Sequence, residues 1–335
     1  MAEENYNIIE ITEGLYRIPV RLPDSPLKLL NSYYIEGIDE DYLIDTGFNR
    51  PLCEQDLSEG LAKIGADRSR ISILNTHLHA DHTGLNHVFM AEGHSIYMSQ
   101  EDIAFQIQWF GGIRNRRYDR DRLEGASEEY CSRAGLSNPS NIWKSKDVTA
   151  FHVPIENGQI IHAKHFDIEV VVVPGHTQGN CMFWIESLGI MITGDHILFD
   201  ITPNITAWPG KEDMLGWYLK SLEQSKKYPV KQALPGHRNP GNYHERIDSI
   251  IEHHRIRLNE VENIIGNSEK PLNAFEITAN MQWRVHLNPD GTMPLAQLYF
   301  AVGECESHID RLLAENRIVR IDPHDGISYR TYKLV

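Results

Sequence analysis

The sequence predicts an α/β layered protein with a mainly helical, winged-helix-like appendix at its C-terminal end. Three observations carry that prediction. Apolar, β-branched runs alternate with segments of helical periodicity over the first 240 residues. Three of those runs end on a histidine at a polar or Gly-containing turn and one ends on an aspartate, so the loops point chemistry toward one edge. After His237 the texture turns helical and then closes on two short strand-like runs.

Each element has its own signal. Residues 14–20 and 32–35 are rich in isoleucine and tyrosine and predict strands, as does the apolar run Tyr42-Leu43-Ile44 before the turn Asp45-Thr46-Gly47. Residues 51–66 predict a helix with Leu57, Leu61 and Ile64 near one face, and Ile71–Leu74 a short buried strand. The run 166–173, FDIEVVVV, is strongly β-branched and leads into Pro174-Gly175-His176. Residues 181–185 and 190–193 predict a hairpin around Ser187-Leu188-Gly189, which closes on Gly194-Asp195-His196. Residues 232–234 precede Pro235-Gly236-His237. Residues 101–150 break the rhythm: a helical insertion interrupted at Gly111-Gly112 is expected to lie over the site, with no strand before about residue 160. The expected division is therefore 1–240, including the insertion at about 101–150, and 241–335, which holds a long polar helix over 244–265, one or two helices over 295–316 and two strands over 318–334.

Composition narrows the function. A formal net charge of −15 argues against a broad electrostatic footprint for nucleic acid. The tail 241–335 carries ten Arg and Lys against fourteen Asp and Glu, so direct nucleic-acid binding by the appendix is not expected. Cys53, Cys131, Cys181 and Cys305 form no C-x-x-C pair, which fits reduced thiols. With no basic, apolar leader and no apolar run near 18 residues, the expectation is a cytoplasmic protein without a membrane anchor.

The chemistry concentrates in NTHLHADHTG, residues 75–84. Three of the 17 histidines fall within six positions there, with an aspartate between them. In an extended segment leaving a strand, His77 and His79 project to the same side, while Asp81 and His82 follow a turn and can face a second position. Imidazole and carboxylate suit zinc, iron or manganese, so H-x-H-x-D-H can supply two adjacent metals. His176, Asp195 and His237, each after a β run and beside a glycine, strengthen the reading.

In their order, THLHADH, PGHTQG, TGDHIL and PGH resemble the metallo-β-lactamase superfamily over about residues 8–240. The resemblance implies an αββα sandwich. It places His77, His79 and His176 at a first metal, Asp81, His82 and His237 at a second, and Asp195 as the bridge between them. It also makes Asp45, in YLIDTG, a support that orients a ligand loop. Two divalent ions, zinc first with iron or manganese possible, would then generate the nucleophile, and Asp81 is the candidate catalytic residue. The HHR run at 253–255 and the tail are most similar to the β-lactamase-like-protein-2 subgroup, which includes a mitochondrial endoribonuclease. Asn180 stands where many glyoxalase II-type members have histidine, against glutathione-thioester hydrolysis. Diiron flavoprotein relatives place Glu where His79 stands and carry a flavodoxin domain that this chain lacks.

Weaker signals complete the candidate site. His196 is expected to hydrogen-bond behind the ligands. Trp109, Phe110 and Trp208 are candidate substrate contacts. In the basic run 114–122, Arg114 and Arg117 are candidates to clamp a phosphate or carboxylate, against a solvated helix of Arg–Asp pairs. The expected function is hydrolysis of a small acyl substrate, thioester or lactone. The alternatives are a phosphodiesterase or endoribonuclease, and a metal-containing binding or sensor protein. A small-molecule partner and a homodimer contact through the tail are expected.

Overall fold

The computed structural model describes residues 6–110, 114–134, 142–208, 210–285, 287–323 and 328–335, with backbone alone at 114–118 and 134. The Gly111-Gly112 interruption and the side chains of Arg114 and Arg117 lie outside what is described.

Two sheets face each other. The first has seven strands in chain order: β1 (Ile9–Thr12), β2 (Leu15–Arg21), β3 (Leu29–Ile35), β4 (Asp41–Ile44), β5 (Ile71–Leu74), β6 (Ile96–Ser99) and β7 (His152–Ile155). The second has five strands: β8 (Ile160–His162), β9 (Asp167–Val172), β10 (Cys181–Ile185), β11 (Ile190–Gly194) and β12 (Gln232–Pro235), ordered β12-β11-β10-β9-β8. Strands β4 to β7 pair in parallel, as do β11 and β12.

The period-2 alternation of each strand divides its side chains between two cores. In β10, Cys181, Phe183 and Ile185 point between the sheets, and Met182 and Trp184 point outward to helices. In β5, Leu74 faces the other sheet while Ile71 and Ile73 face α1 (Pro51–Lys63), which buries Leu57 and Leu61 against them. Both faces are covered, which is why runs such as 170–173 and 181–185 are apolar throughout. Each such fully buried aliphatic side chain contributes about 1.5–3 kcal/mol.

Two differences from expectation concern the elements. A strand does precede residue 160: β7 is the edge of the first sheet, pairing with β6 from Ile96↔His152 to Ser99↔Ile155. Pro154 hides it in the sequence, since proline lacks a ladder donor, and an edge strand tolerates that. The run 214–225, unassigned from sequence, is the helix α7 (Met214–Ser225), which packs Leu215, Tyr218 and Leu222 on the second sheet. Between β5 and β7 lie α2 (Ala80–Thr83), α3 (Asn86–Phe89), α4 (Gln100–Phe110), α5 (Arg114–Leu123) and α6 (Glu128–Ala134).

The C-terminal region comprises α8 (Tyr243–Gly266), α9 (Ala274–Asn280), α10 (Leu295–Ala314) and the antiparallel pair β13 (Ile318–Ile321) and β14 (Thr331–Leu334). Residues 295–314 form a single helix. Ile247, Ile250 and Val261 of α8 and Cys305, Ile309 and Leu312 of α10 join the core that covers the outer face of the second sheet. The four cysteines are buried and free. Among the described residues, no helix is long and apolar enough to cross a membrane.

The histidine-bearing turns leave the carboxyl ends of β5, β9, β11 and β12, where open α/β sheets gather their chemistry. The two sheets are tied together there. Cys181 N donates to Thr76 O at 2.7 Å, Tyr33 Oη to Pro235 O at 2.8 Å, and Asn31 Nδ2 to the same carbonyl at 2.9 Å.

Candidate metal centre

After β5 the chain bends at Thr76 and Leu78 and reaches His79, whose extended backbone precedes the one-turn helix α2 that carries Asp81 and His82. The structure brings all seven candidate ligands together. His77, His79 and His176 form one group able to hold a cation, Asp81, His82 and His237 a second, and His77, His82 and Asp195 a third that overlaps both. Within each group the donor atoms lie no more than 4.8 Å apart.

The hydrogen-bond network fixes which nitrogens face inward. His176 Nδ1 donates to Asn204 O at 2.9 Å, and His237 Nδ1 to Leu29 O at 2.7 Å. His82 Nδ1 donates to Asp45 Oδ2 at 2.7 Å. Thr76 Oγ1 gives its proton to Asp45 Oδ2 at 2.7 Å and so accepts from His77 Nδ1 at 3.0 Å. Four imidazoles therefore turn Nε2 toward a common centre. His77 Nε2 lies 3.0 Å from His79 Nδ1, and His82 Nε2 lies 3.2 Å from His237 Nε2. Asp195 stands among them, with Oδ1 3.5 Å from both His82 Nε2 and His237 Nε2 and Oδ2 3.8 Å from His176 Nε2. Asp81 Oδ2 is 3.4 Å from His237 Nε2.

These residues fit a pair of cations. Among the described residues, buried His176 Nε2 and Asp195 Oδ1 have no hydrogen-bond partner, an arrangement costly unless a cation satisfies them. A Cβ added at Gly236 would sit 2.7 Å from Asp195 Oδ1 and 3.1 Å from His82 Cε1, so glycine keeps that space open. Burial and the crowd of imidazoles push His77 well below the ordinary histidine range and His79 down to about 3, leaving neutral donors. Burial opposes ionisation of Asp195, but His237 and His82 overcome it and hold the carboxyl well below its usual range. Burial would likewise lower His82 and His237, yet neighbouring carboxylates raise both, His237 to about 9. That half of the site calls for positive charge.

Asp45, at φ 59°, accepts from Thr76 N at 2.9 Å as well as from Thr76 Oγ1 and His82. His196 lies elsewhere than expected: its ring packs edge-on against Tyr218, and its Nε2 is 3.1 Å from Ser225 Oγ, so its contacts run to α7. Asp195 and His196 lie in a turn closed by His196 N donating to Thr193 O at 3.0 Å, and their side chains meet different neighbours. Burial pushes His196 down to about 3.

The centre floors a cavity of about 340 Å³. Phe105, Trp109 and Phe110 of α4, Trp208, and Tyr299 and Phe300 of α10 form its apolar walls, and Lys144 and Lys146 also line it. Trp208 stacks on His79 at 6.0 Å with 17° between the rings, and meets Phe105 edge-on at 4.6 Å. The described part of the basic run points elsewhere: Arg120 pairs with Asp310 at 2.9 Å and Glu306 at 3.4 Å on α10.

Sequence reasoning missed Asp102. Fully buried in the first turn of α4, it accepts from Leu78 N at 3.0 Å, Thr177 Oγ1 at 2.7 Å and Gly179 N at 2.8 Å. It thereby joins the loop of His77 and His79 to the loop of His176. Gly179 permits the approach, since a Cβ there would lie 1.8 Å from Ser99 Oγ. Burial pushes the Asp102 carboxyl up to about 7 against these three bonds.

A buried cluster of imidazoles and carboxylates, open to an apolar cavity at one edge of a two-sheet sandwich, defines a metal-binding hydrolase. The sequence model of the Metallo-beta-lactamase superfamily matches residues 28–237, so the chain belongs to that superfamily and is one of its metallo-hydrolases. It is similar to the probable metallo-hydrolase YqjP of Bacillus subtilis, 25% identical over 315 residues that cover 90% of this chain and 93% of the relative. It is 23% identical to the human acyl-coenzyme A thioesterase MBLAC2 over 248 residues, 71% of this chain and 83% of the relative. The crystal structure of a beta-lactamase domain protein from Burkholderia ambifaria shares the fold at a TM-score of 0.84 and 22% identity, covering 100% of this chain and 97% of that one.

Proposed function

We propose that the protein hydrolyses acyl thioesters with an apolar acyl group, using two divalent metal ions. His77, His79 and His176 would hold one, Asp81, His82 and His237 the other, with Asp195 between them. The observation that carries this is the overlap of the three donor groups around Asp195 at the floor of an aromatic-walled cavity. An imidazole and carboxylate donor set suits zinc, and also iron or manganese. When bound, such a pair supplies a hydroxide nucleophile at neutral pH and polarises the carbonyl under attack.

The chain does the rest. Hydrogen bonds from Nδ1 of His77, His82, His176 and His237 hold the rings in one tautomer with Nε2 inward. Asp81, its side chain 13% exposed and on the cavity wall, would orient the nucleophile and take up its remaining proton after attack. Phe105, Trp109 and Trp208 exclude bulk water and seat the acyl group. Lys144 and Lys146 offer cations to the phosphates of a coenzyme A leaving group. The thioesterase among the relatives supports this choice, whereas a nuclease would need a basic groove.

The test is hydrolysis of octanoyl-CoA, a medium-chain lactone and a bis-aryl phosphodiester, with Asp195→Ala as control. Turnover of the thioester by the unmutated protein alone supports the reading. Preferential turnover of the phosphodiester, or equal rates for the mutant, overturns it.

A further inference from the structure

We propose that Glu304 of α10 is a positioning residue for the first metal site, acting through Asn204 on His176, so that the C-terminal helix is a working part of the active site. This inference rests on the metallo-hydrolase reading of that site.

His176 gives its Nδ1 proton to the main-chain carbonyl of Asn204 at 2.9 Å, and the orientation of that carbonyl decides where His176 Nε2 points. Asn204 belongs to no helix or strand, so its own ladder does not fix it. Helix α10 does. The Asn204 amide donates to Glu304 Oε2 and to Phe300 O, each at 3.4 Å. One residue on, Ser307 Oγ donates to Ile205 O at 2.6 Å, and Ala207 N donates to Gly303 O at 3.1 Å. Phe300, Gly303, Glu304 and Ser307 are spaced as one face of a helix. That face grips the segment 204–207 on both sides of the carbonyl His176 uses.

Glu304 is itself held. Arg257 Nε of α8 lies 3.6 Å from Glu304 Oε1, and its guanidinium sits 4.3 Å over the Trp283 ring and donates to Gln282 O at 2.9 Å. One carboxylate oxygen is thus committed to α8 and the other to Asn204. The same helix face carries Phe300 on the cavity wall. A displacement of α10 by a bound acyl group would therefore reach His176 through two hydrogen bonds.

The experiment compares Asn204→Ala, Glu304→Ala and Glu304→Gln in the full chain, with Glu262→Ala as control. Glu262 pairs with Arg317 at 2.5 Å in the same region and has no bond to the segment 204–207 among those described. Zinc affinity is measured by chelator competition without substrate, the melting temperature on metal-stripped protein, and kcat and KM on octanoyl-CoA. Asn204→Ala and Glu304→Ala are expected to lose about tenfold in affinity for one ion of the two, the usual effect of removing an outer partner. Their metal-stripped melting temperatures should fall no further than that of Glu262→Ala, kcat should fall more than KM changes, and Glu304→Gln, which keeps an acceptor for Asn204, should recover most of the affinity. Unchanged affinity in both alanine variants overturns the proposal, as does an equal affinity loss in Glu262→Ala. An affinity loss confined to the relay variants in a protein that hydrolyses no thioester supports the relay and removes the thioesterase reading instead.

Discussion

Thr177 donates a 2.7 Å hydrogen bond to Asp102, joining the loop that carries His176 to helix α4. The same carboxylate holds Leu78 N and Gly179 N, so one buried side chain sets the spacing of two ligand loops that are a hundred residues apart in the chain. Replacing it tests whether that spacing matters.

Asp102→Ala strands three buried donors at about 1–3 kcal/mol each. It is expected to destabilise the metal-stripped protein by about 3 kcal/mol or more in urea unfolding, and to weaken zinc binding. Asp102→Asn, which keeps one acceptor oxygen, should lose less of both. Equal stability for Asp102→Ala and the unmutated protein would show that the loops are held otherwise.

Asp45 offers a cleaner chemical test, because asparagine tolerates its φ of 59°. Asp45→Asn leaves the backbone unstrained but removes the carboxylate behind His82. Zinc affinity should drop about 10- to 100-fold, read by chelator competition. Retained affinity would mean that His82 needs no anionic partner.

A pH dependence follows from the buried pair His254 and His308. His308 Nδ1 donates to Glu304 O at 2.7 Å, and its Nε2 accepts from His254 Nδ1 at 3.2 Å, so a further proton on His308 would set N–H against N–H. Burial pushes His308 down to about 3 and His254 well below its ordinary value of 6.5. The unfolded chain takes up these protons below about 6.5, whereas the folded chain takes up that of His308 only near 3 and holds His254 well below its ordinary value, so their contribution to stability is lost as pH falls below about 6.5. Each contributes a slope of up to about 1.4 kcal/mol per pH unit. His308→Leu should therefore flatten the decline of unfolding free energy between pH 6.5 and 4.5 in metal-stripped protein. An identical slope in the mutant would contradict the assignment.

Trp208 both stacks on His79 and walls the cavity. Trp208→Ala is expected to lower kcat/KM for octanoyl-CoA about tenfold or more, on the scale of losing one large apolar contact, and acetyl-CoA turnover by less. Equal losses on both thioesters would place the effect on His79 alone and remove the acyl-seat role.

How legible this was in the sequence depended on the kind of signal. The seven candidate ligands stood out because histidine and aspartate recur beside glycine at the ends of apolar runs, and the structure gathers all seven. Strand β5 could be read to its ends, since Ile71–Leu74 is apolar and bounded by polar residues. Helix α7 was legible in principle, as Met214, Leu215, Tyr218 and Leu222 keep helical spacing. Strand β7 was not, with Pro154 inside four residues. Asp102, Asn204 and Phe300 carry no local pattern at all. Their importance comes from contacts 75 to 100 residues away, as between Asp102 and Thr177 or Asn204 and Glu304. His196 misled because the turn after β11 sends its ring to Tyr218 and Ser225 of α7, although it neighbours Asp195 in sequence.

The most direct test of the central claim is the metal content of the purified chain, by elemental analysis, for the unmutated protein and Asp195→Ala. Two divalent ions per chain, falling to one or fewer in the mutant, is the predicted result. A single ion per chain that survives loss of Asp195 would contradict a centre built around that carboxylate.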